Sequence, residues 1–77
     1  MKLLLVTWID SSRSYDNFTE EQLREYENIE MQTVGWGEVL DDRIVMSPEK
    51  EGNNYRIAFT VPKVCVTKIE ELIIGNP

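Results

Sequence analysis

The residues that first suggest chemistry lie between Asp10 and Glu21. Oxygen-bearing side chains recur there at alternate positions and end where a twelve-residue calcium loop has its closing carboxylate: Asp10, Ser12, Ser14, Asp16 and Glu21. However, Tyr15 occupies the position at which such a loop needs glycine for its sharp turn. The sequence therefore favours a solvated loop whose Asp and Ser side chains bond their own backbone, and it predicts no metal site.

The chain contains few residues that could serve in nucleophilic or acid–base catalysis. There is no histidine and only one cysteine, Cys65, which removes Ser-His and Cys-His activation and most zinc sites. Cys65 stands in an apolar strand-like pattern, where a free cysteine is usually a structural residue. The carboxylates fall mainly in the predicted helix and turns, where charged runs are usually solvated. We therefore expect no enzyme, no cofactor and no catalytic residue.

Arginine and aromatic side chains offer binding chemistry instead. Guanidinium forks and aromatic faces suit the phosphate and base of an anionic signalling nucleotide, and the candidates are Arg13, Arg24 or Arg56 with Tyr15 or Trp36. Aromatic residues also concentrate binding energy in protein interfaces. The residues predicted to contact a partner or ligand are Arg13, Tyr15, Phe18, Tyr26 and Trp36, with the rest of the loop from Ser11 to Phe18.

Charge narrows the class of partner. The formal net charge is −6, and the eight Lys and Arg residues are scattered along the chain. Neutralising a nucleic-acid backbone requires clustered cations, so we expect no generic nucleic-acid binding. The acidity suits a partner protein with a basic surface, because a charge field speeds the encounter of opposite charges.

The elements that must position these residues are strands and one helix. The run from Leu3 to Ile9 predicts a first strand that enters a polar loop. A helix then begins after the N-cap Thr19, with Gln22 as its capping-box partner and Phe18 placed to pack on Leu23. Its apolar stripe is narrow, which predicts a short helix that lies against a sheet.

After the helix the apolar period changes to two. The stretches "MQTVGWGEVL" and "RIVMSP" predict a hairpin that turns at Asp41-Asp42, and a second turn follows at "EKEGNN". The stretch "YRIAFTVP" predicts one strand with a buried side formed by Tyr55, Ile57, Phe59 and Val61. Pro62 has no N–H and ends or interrupts that strand. The last strand is expected through Val64, Val66 and Ile69.

Together these elements predict a mostly β fold with one short helix, classed as α+β. The expected architecture is a small five-stranded antiparallel barrel, SH3-like or Sm-like, with the helix inserted between strands 1 and 2. Residues 1–77 form one domain, with a tail at 73–77 that we expect to fray. A domain of this size buries only about 60% of its unfolded surface, so we also expect a homo-oligomer.

The segment around Trp36 has its own prediction. Gly35 and Gly37 flank this tryptophan, and Val34 shares its face whereas Val39 falls on the other. A bulge at Gly37 would return Val39 to the core face. The two glycines leave a bare strip opposite Trp36, which we expect the helix to cover. Trp8 is expected in the core. For Trp36 the pattern fits either a core residue or an interface residue.

Targeting signals are not recognisable. The N-terminal stretch "MKLLLVTWID" is too short in its apolar run, and too soon acidic, for a signal peptide or a membrane span. We expect no membrane association and a cytoplasmic location.

The motifs "VTWID", "VGW" and "VPKVCVTKIEEL" resemble those of a family of small uncharacterised proteins encoded by bacteriophages and prophages. The resemblance touches both ends and the middle of the chain, and leaves the segment from Ser11 to Glu30 unmatched. The sequence departs from the family pattern at Gly37, where the relatives carry a bulkier apolar residue. The resemblance implies a phage origin and a small barrel, and it carries over no activity.

Three functions follow as hypotheses. The first is a non-enzymatic phage protein that occupies or inhibits a host protein, in host takeover or anti-defence. The second is an oligomeric sink for an anionic signalling nucleotide. The third is a virion or assembly component that acts by self-association.

Overall fold

The protein is mostly β with one short α-helix, which confirms the predicted class. The computed structural model describes residues 1–11 and 13–75. Its elements, in chain order, are β1 (Lys2–Asp10), α1 (Glu20–Glu25), β2 (Ile29–Val39), β3 (Arg43–Ser47), β4 (Glu49–Glu51), β5 (Asn54–Arg56), β6 (Phe59–Pro62), a 3₁₀ helix (Lys63–Cys65) and β7 (Val66–Glu71).

Five strands form one antiparallel sheet in the order β6-β3-β2-β1-β7, and β4 pairs with β5 in a separate hairpin. The sheet is open, because β6 and β7 are its two edges and do not pair with each other. The predicted closed barrel is therefore not confirmed. The predicted turns are present: Leu40 N–H donates to the Arg43 carbonyl across Asp41-Asp42, and Gly52 in the second turn has a φ of 58°.

The core lies on one face of the sheet. Every second residue of a strand points to the same face, and the buried aliphatic side chains follow this rule in β1, β3 and β6: Leu4, Val6, Ile44, Met46 and Val61. Trp8, Phe59 and Val66 are half-buried and pack against them. The indole N–H of Trp8 donates to the Thr33 hydroxyl at 2.9 Å, which satisfies its polar group at the core's edge.

The glycines of β2 face this core, and β2 has no bulge in its pairing with β3. The pairing of β2 with β3 runs without a shift from Trp36 to Val39, so the predicted bulge at Gly37 is wrong. A Cβ on Gly37 would lie 2.6 Å from the Val45 carbonyl oxygen and 3.4 Å from Leu4 Cδ1. The bare strip is therefore occupied by β3 and by core side chains rather than by the helix, and it allows close packing of β2 on β3.

Helix α1 has the predicted start but a different position. The Thr19 hydroxyl accepts from Gln22 N–H at 3.2 Å, and the Gln22 side chain accepts from Thr19 N–H at 2.9 Å, which completes the capping box. All six helical residues are exposed, so the prediction that the helix lies against the sheet is wrong. Phe18 packs edge-to-face on Tyr26, with ring centres 5.4 Å apart, and Leu23 stays 63% exposed.

The predicted strand "YRIAFTVP" is interrupted. β5 ends at Arg56, Ile57 has a φ of 62°, and β6 begins at Phe59. The single alternating face is therefore wrong, since Tyr55 lies in the β4–β5 hairpin, Ile57 lies between the two strands, and Phe59 lies in the five-stranded sheet. β6 ends at Pro62, as predicted, and Val64 lies in the 3₁₀ helix before the last strand.

The molecule is elongated. Its radius of gyration is 16.2 Å and its extents are 52 × 25 × 24 Å; a compact domain of this length would have a radius of about 11.5 Å. The pairing of β1 with β2 continues to Asp10 and Ile29, beyond the part of β2 that pairs with β3. These strand ends and the described residues between them form a projection, which we call the hairpin arm. No helix within 1–11 and 13–75 is long and apolar enough to span a membrane.

The tail is only partly described. Asn76 and Pro77 lie outside the described residues. The residues before them, 72–75, belong to no helix or strand, and Ile73 is 92% exposed.

Candidate partner-binding surface

The face of the sheet opposite the core carries an apolar patch. The pairs Leu3–Trp36 and Leu5–Val34 lie side by side on it, and Val45 follows on β3. None of these five side chains is buried, and Val34 is 52% exposed. We call these residues, Leu3, Leu5, Val34, Trp36 and Val45, the Trp36 face. The exposed helix α1 leaves it uncovered.

Trp36 is the common wall of two pockets. One is small and apolar, about 130 Å³, and is lined by Met1, Trp36, Val45, Met46, Ser47, Tyr55 and Ala58. The other is open and charged, about 420 Å³, and is lined by Trp36, Pro48, Glu49, Lys50, Glu51 and Arg56. The Lys50 ammonium lies over the indole ring, 5.9 Å from its centre. A half-buried tryptophan thus presents one apolar and one charged pocket at the same surface.

Ser47 fixes the hairpin that supplies the charged side. Its side chain is buried, and its hydroxyl lies 2.9 Å from the Glu49 carbonyl and 2.5 Å from the Arg56 carbonyl. Because Ser47 pairs with Trp36 across β2 and β3, this hydroxyl joins β4 and β5 to the strand beside the tryptophan. The β4–β5 hairpin is therefore positioned so that Lys50 and Arg56 flank the indole.

The predicted contact residues fall in two places. Trp36 lies on the sheet, whereas the other four lie on the hairpin arm: Arg13, Tyr15, Phe18 and Tyr26. Trp36 lies seven positions along β2 from the base of that loop at Ile29, a distance of about 23 Å at the usual rise of a strand. On the arm, Phe18 contacts Tyr26, and Tyr15 is 89% exposed. The structure does not bring the five into one site.

Among the predicted arginine–aromatic combinations, Arg56 and Trp36 line the same pocket. Arg24 instead forms an ion pair with Glu20 at 2.8 Å on the helix surface. Arg13 lies in the loop and is exposed. Lys50 and Tyr55 also line the pockets beside Trp36, and the sequence pattern did not predict either of them as a contact residue. Their position depends on the Ser47 contact across the sheet, for which the local sequence carries no signal.

The acidic loop shows local bonding. The Ser14 hydroxyl lies 3.2 Å from Asp16 Oδ2 and accepts from the Asp16 N–H at 3.4 Å. Ser12, one of the predicted ligand positions, lies outside the described residues. Within the described part of the chain, no three His, Cys, Asp or Glu side chains are grouped to hold a metal ion. Cys65 is half-buried and lies in the 3₁₀ helix rather than in a strand.

Comparison with known proteins supplies no relative. No protein-family model, curated protein or solved structure matches this chain. The surface around Trp36 is therefore interpreted from its own geometry.

Proposed function

We propose that this chain is a non-enzymatic binding protein that occupies a partner protein through the Trp36 face. The observation that supports the proposal is a half-buried tryptophan set between two pockets on an uncovered apolar face of the sheet. Tryptophan is among the residues that most often carry binding energy at the centre of an interface.

The size of the apolar pocket favours a protein partner. Pockets for small molecules usually span about 300–1,000 Å³ and enclose most of the ligand. The pocket lined by Met1, Tyr55 and Ala58 measures about 130 Å³, which suits one apolar side chain of a partner. The adjoining residues Leu3, Leu5 and Val34 extend the contact across the sheet.

Charge supports a basic partner. The net charge of −6 attracts a positively charged surface and accelerates its approach, while the apolar anchors supply the affinity. With the resemblance to small phage proteins, this leads to the proposed role: a phage protein that acts in the bacterial cytoplasm by occupying or inhibiting a host protein. We also propose that the open sheet belongs with SH3-like barrels, because its last strand returns beside the first.

The charged pocket favours a second candidate. Arg56 and Lys50 beside the indole of Trp36 provide cations and a stacking surface for an anionic nucleotide. Glu49 and Glu51 line the same pocket and oppose an anion, which places this function second. Native mass spectrometry of freshly purified protein separates the two, since a nucleotide sink carries a discrete small-molecule mass. A virion component, the third candidate, would appear in purified particles.

The test of the first proposal uses Trp36→Ala and a matched variant, Tyr15→Ala. Both remove an aromatic side chain that the fold does not bury, one on the Trp36 face and one on the arm. Partners captured from host lysate by the wild type are purified and titrated against each variant. We expect Trp36→Ala to keep its circular dichroism spectrum and weaken binding by about 30-fold or more, and Tyr15→Ala to bind normally. Equal binding by Trp36→Ala and wild type would refute the proposal.

A further inference from the structure

Strand β7 leaves a free edge at one side of the sheet. It is the last strand in the order, with β1 on its inner side. Leu72 N–H donates to the Leu3 carbonyl at 2.8 Å, and backbone groups alternate in direction along an antiparallel strand. The N–H and C=O groups of Ile69 and Glu71 therefore point away from β1. Such an outward row is a template for another strand.

We propose that β7 pairs antiparallel with β7 of a second copy of this chain, about a two-fold axis at Ile69. The two sheets then continue into one, and the same surface is used by both copies, as a two-fold dimer requires. The partner is a second copy because the sequence of β7 is complementary to itself in this register.

The register follows from the charges. Paired residues must share a face of the sheet, so the axis has to pass through a residue and not between two. With the axis at Ile69, Lys68 lies opposite Glu70 of the second copy, and Glu70 lies opposite its Lys68. An axis at Lys68 would place two lysines opposite each other, and an axis at Glu70 would oppose two glutamates. Like charges directly opposite are destabilising, which favours the axis at Ile69 over the axes at its two neighbours.

The charged side chains of these pairs lie at the surface. Lys68 Nζ lies 3.0 Å from Glu70 Oε1 within β7, with side chains 65% and 43% exposed, so both lie on the same face at the surface. A lysine on an edge strand normally discourages pairing with other chains. In the Ile69 register, Lys68 lies opposite the carboxylate of Glu70 of the second copy. This edge therefore disfavours pairing with most other strands and favours pairing with its own copy.

Apolar residues match in the same register. Ile69, 38% exposed, meets its own copy on the core side of the sheet. The strand register ends with β7, because Lys63–Cys65 is a 3₁₀ helix and residues 72–75 belong to no strand. Val64 and Ile73, just outside the two ends of β7, are the most exposed large hydrophobic residues of the described chain, at 94% and 92%. Antiparallel pairing brings the beginning of β7 in one copy near the end of β7 in the other, and so brings these exposed side chains towards each other.

Charge reversal tests the pairing. Lys68→Glu places carboxylates opposite carboxylates, and Glu70→Lys places ammonium groups opposite each other. Sedimentation equilibrium should show a wild-type dimer, and each variant alone should raise the dissociation constant at least tenfold. An equimolar mixture of the two variants should form a heterodimer, and Lys68→Glu/Glu70→Lys should dimerise like the wild type. A wild type that is monomeric up to about 1 mM, or variants that dimerise equally well, would overturn the proposal.

Disulfide cross-linking through an engineered cysteine tests the position of the two-fold axis. In a Cys65→Ser background, Ile69→Cys puts two thiols across the axis, where hydrogen-bonded partners have Cα atoms about 5.5 Å apart, within disulfide range. Mild oxidation should give a covalent dimer. Thr60→Cys on β6, the opposite edge, is the control in the same background. Cross-linking at Thr60→Cys as fast as at Ile69→Cys would refute β7 pairing, and unchanged circular dichroism shows that both variants fold.

Discussion

The ammonium nitrogen of Lys50 lies 5.9 Å from the centre of the Trp36 ring, over its face. This contact joins the β4–β5 hairpin to the five-stranded sheet, because Lys50 belongs to β4 and Trp36 to β2. The hairpin also reaches the sheet through the Ser47 hydroxyl. The two contacts together hold the walls of both pockets beside Trp36.

Replacing Lys50 by alanine removes the cation from the indole. A cation over an aromatic ring at an exposed site contributes about 0.5–1 kcal/mol, so Lys50→Ala should lower the melting temperature by about 2–8 °C. Lys50→Arg keeps a cation and should melt close to the wild type. Thermal denaturation followed by circular dichroism measures both. If the arginine variant is destabilised as much as the alanine variant, the ring contact does not stabilise the hairpin.

Ile57 has a backbone conformation that β-branched residues rarely adopt. Its φ of 62° lies in the left-handed region, which costs a residue with a Cβ about 1–2 kcal/mol, and a branched Cβ makes it a true outlier. Ile57→Asn should therefore stabilise the protein by about 1 kcal/mol, since asparagine tolerates this region. Ile57→Val keeps the branched Cβ and should be neutral. Urea unfolding measures both, and a loss of stability in Ile57→Asn would contradict the prediction.

Two local features that the sequence predicts are present in the structure. The Thr19–Gln22 capping box and the turn at Asp41-Asp42 depend only on neighbouring residues. The break at Ile57 was missed because β-branched residues rarely adopt positive φ. The break at Ile57 follows Arg56, whose carbonyl oxygen lies 2.5 Å from the hydroxyl of Ser47. Ser47 lies nine residues earlier in the chain, so this contact is not a local one.

The site around Trp36 was predictable only in part, because residues distant in the sequence also line it. Trp36 was identified from its type and its glycine neighbours, but its pocket partners Lys50 and Tyr55 are supplied by a hairpin that folds beside it. The aromatic residues of the arm were predicted to contact the same partner, yet the length of β2 separates them from Trp36. Nothing in a local pattern fixes the direction in which a hairpin or an arm extends.

Gly37 should not tolerate a side chain. A Cβ there would lie 2.6 Å from the Val45 carbonyl oxygen and 3.0 Å from Met46 Cγ, and the first of these is backbone that cannot rotate away. Gly37→Ala should therefore cost about 1–3 kcal/mol, as overpacked core sites do. Gly75→Ala adds its Cβ to open space and is the matched control. Denaturant midpoints for the two variants measure the difference, and equal midpoints would show that β2 and β3 can move apart.

Thr33 holds the indole of Trp8 at the edge of the core. The Trp8 N–H donates to the Thr33 hydroxyl at 2.9 Å, and the ring packs against the cluster around Val6. Thr33→Val keeps the shape of the side chain and removes the acceptor, which leaves a part-buried donor unpaired and should cost about 1–3 kcal/mol in urea unfolding. Thr33→Ser keeps the hydroxyl and should lose less. In a Trp36→Phe background, the fluorescence of Trp8 reports the same bond, because its emission should shift in Thr33→Val and stay in place in Thr33→Ser. A Thr33→Val variant as stable as the wild type would show that this hydrogen bond does not stabilise the fold.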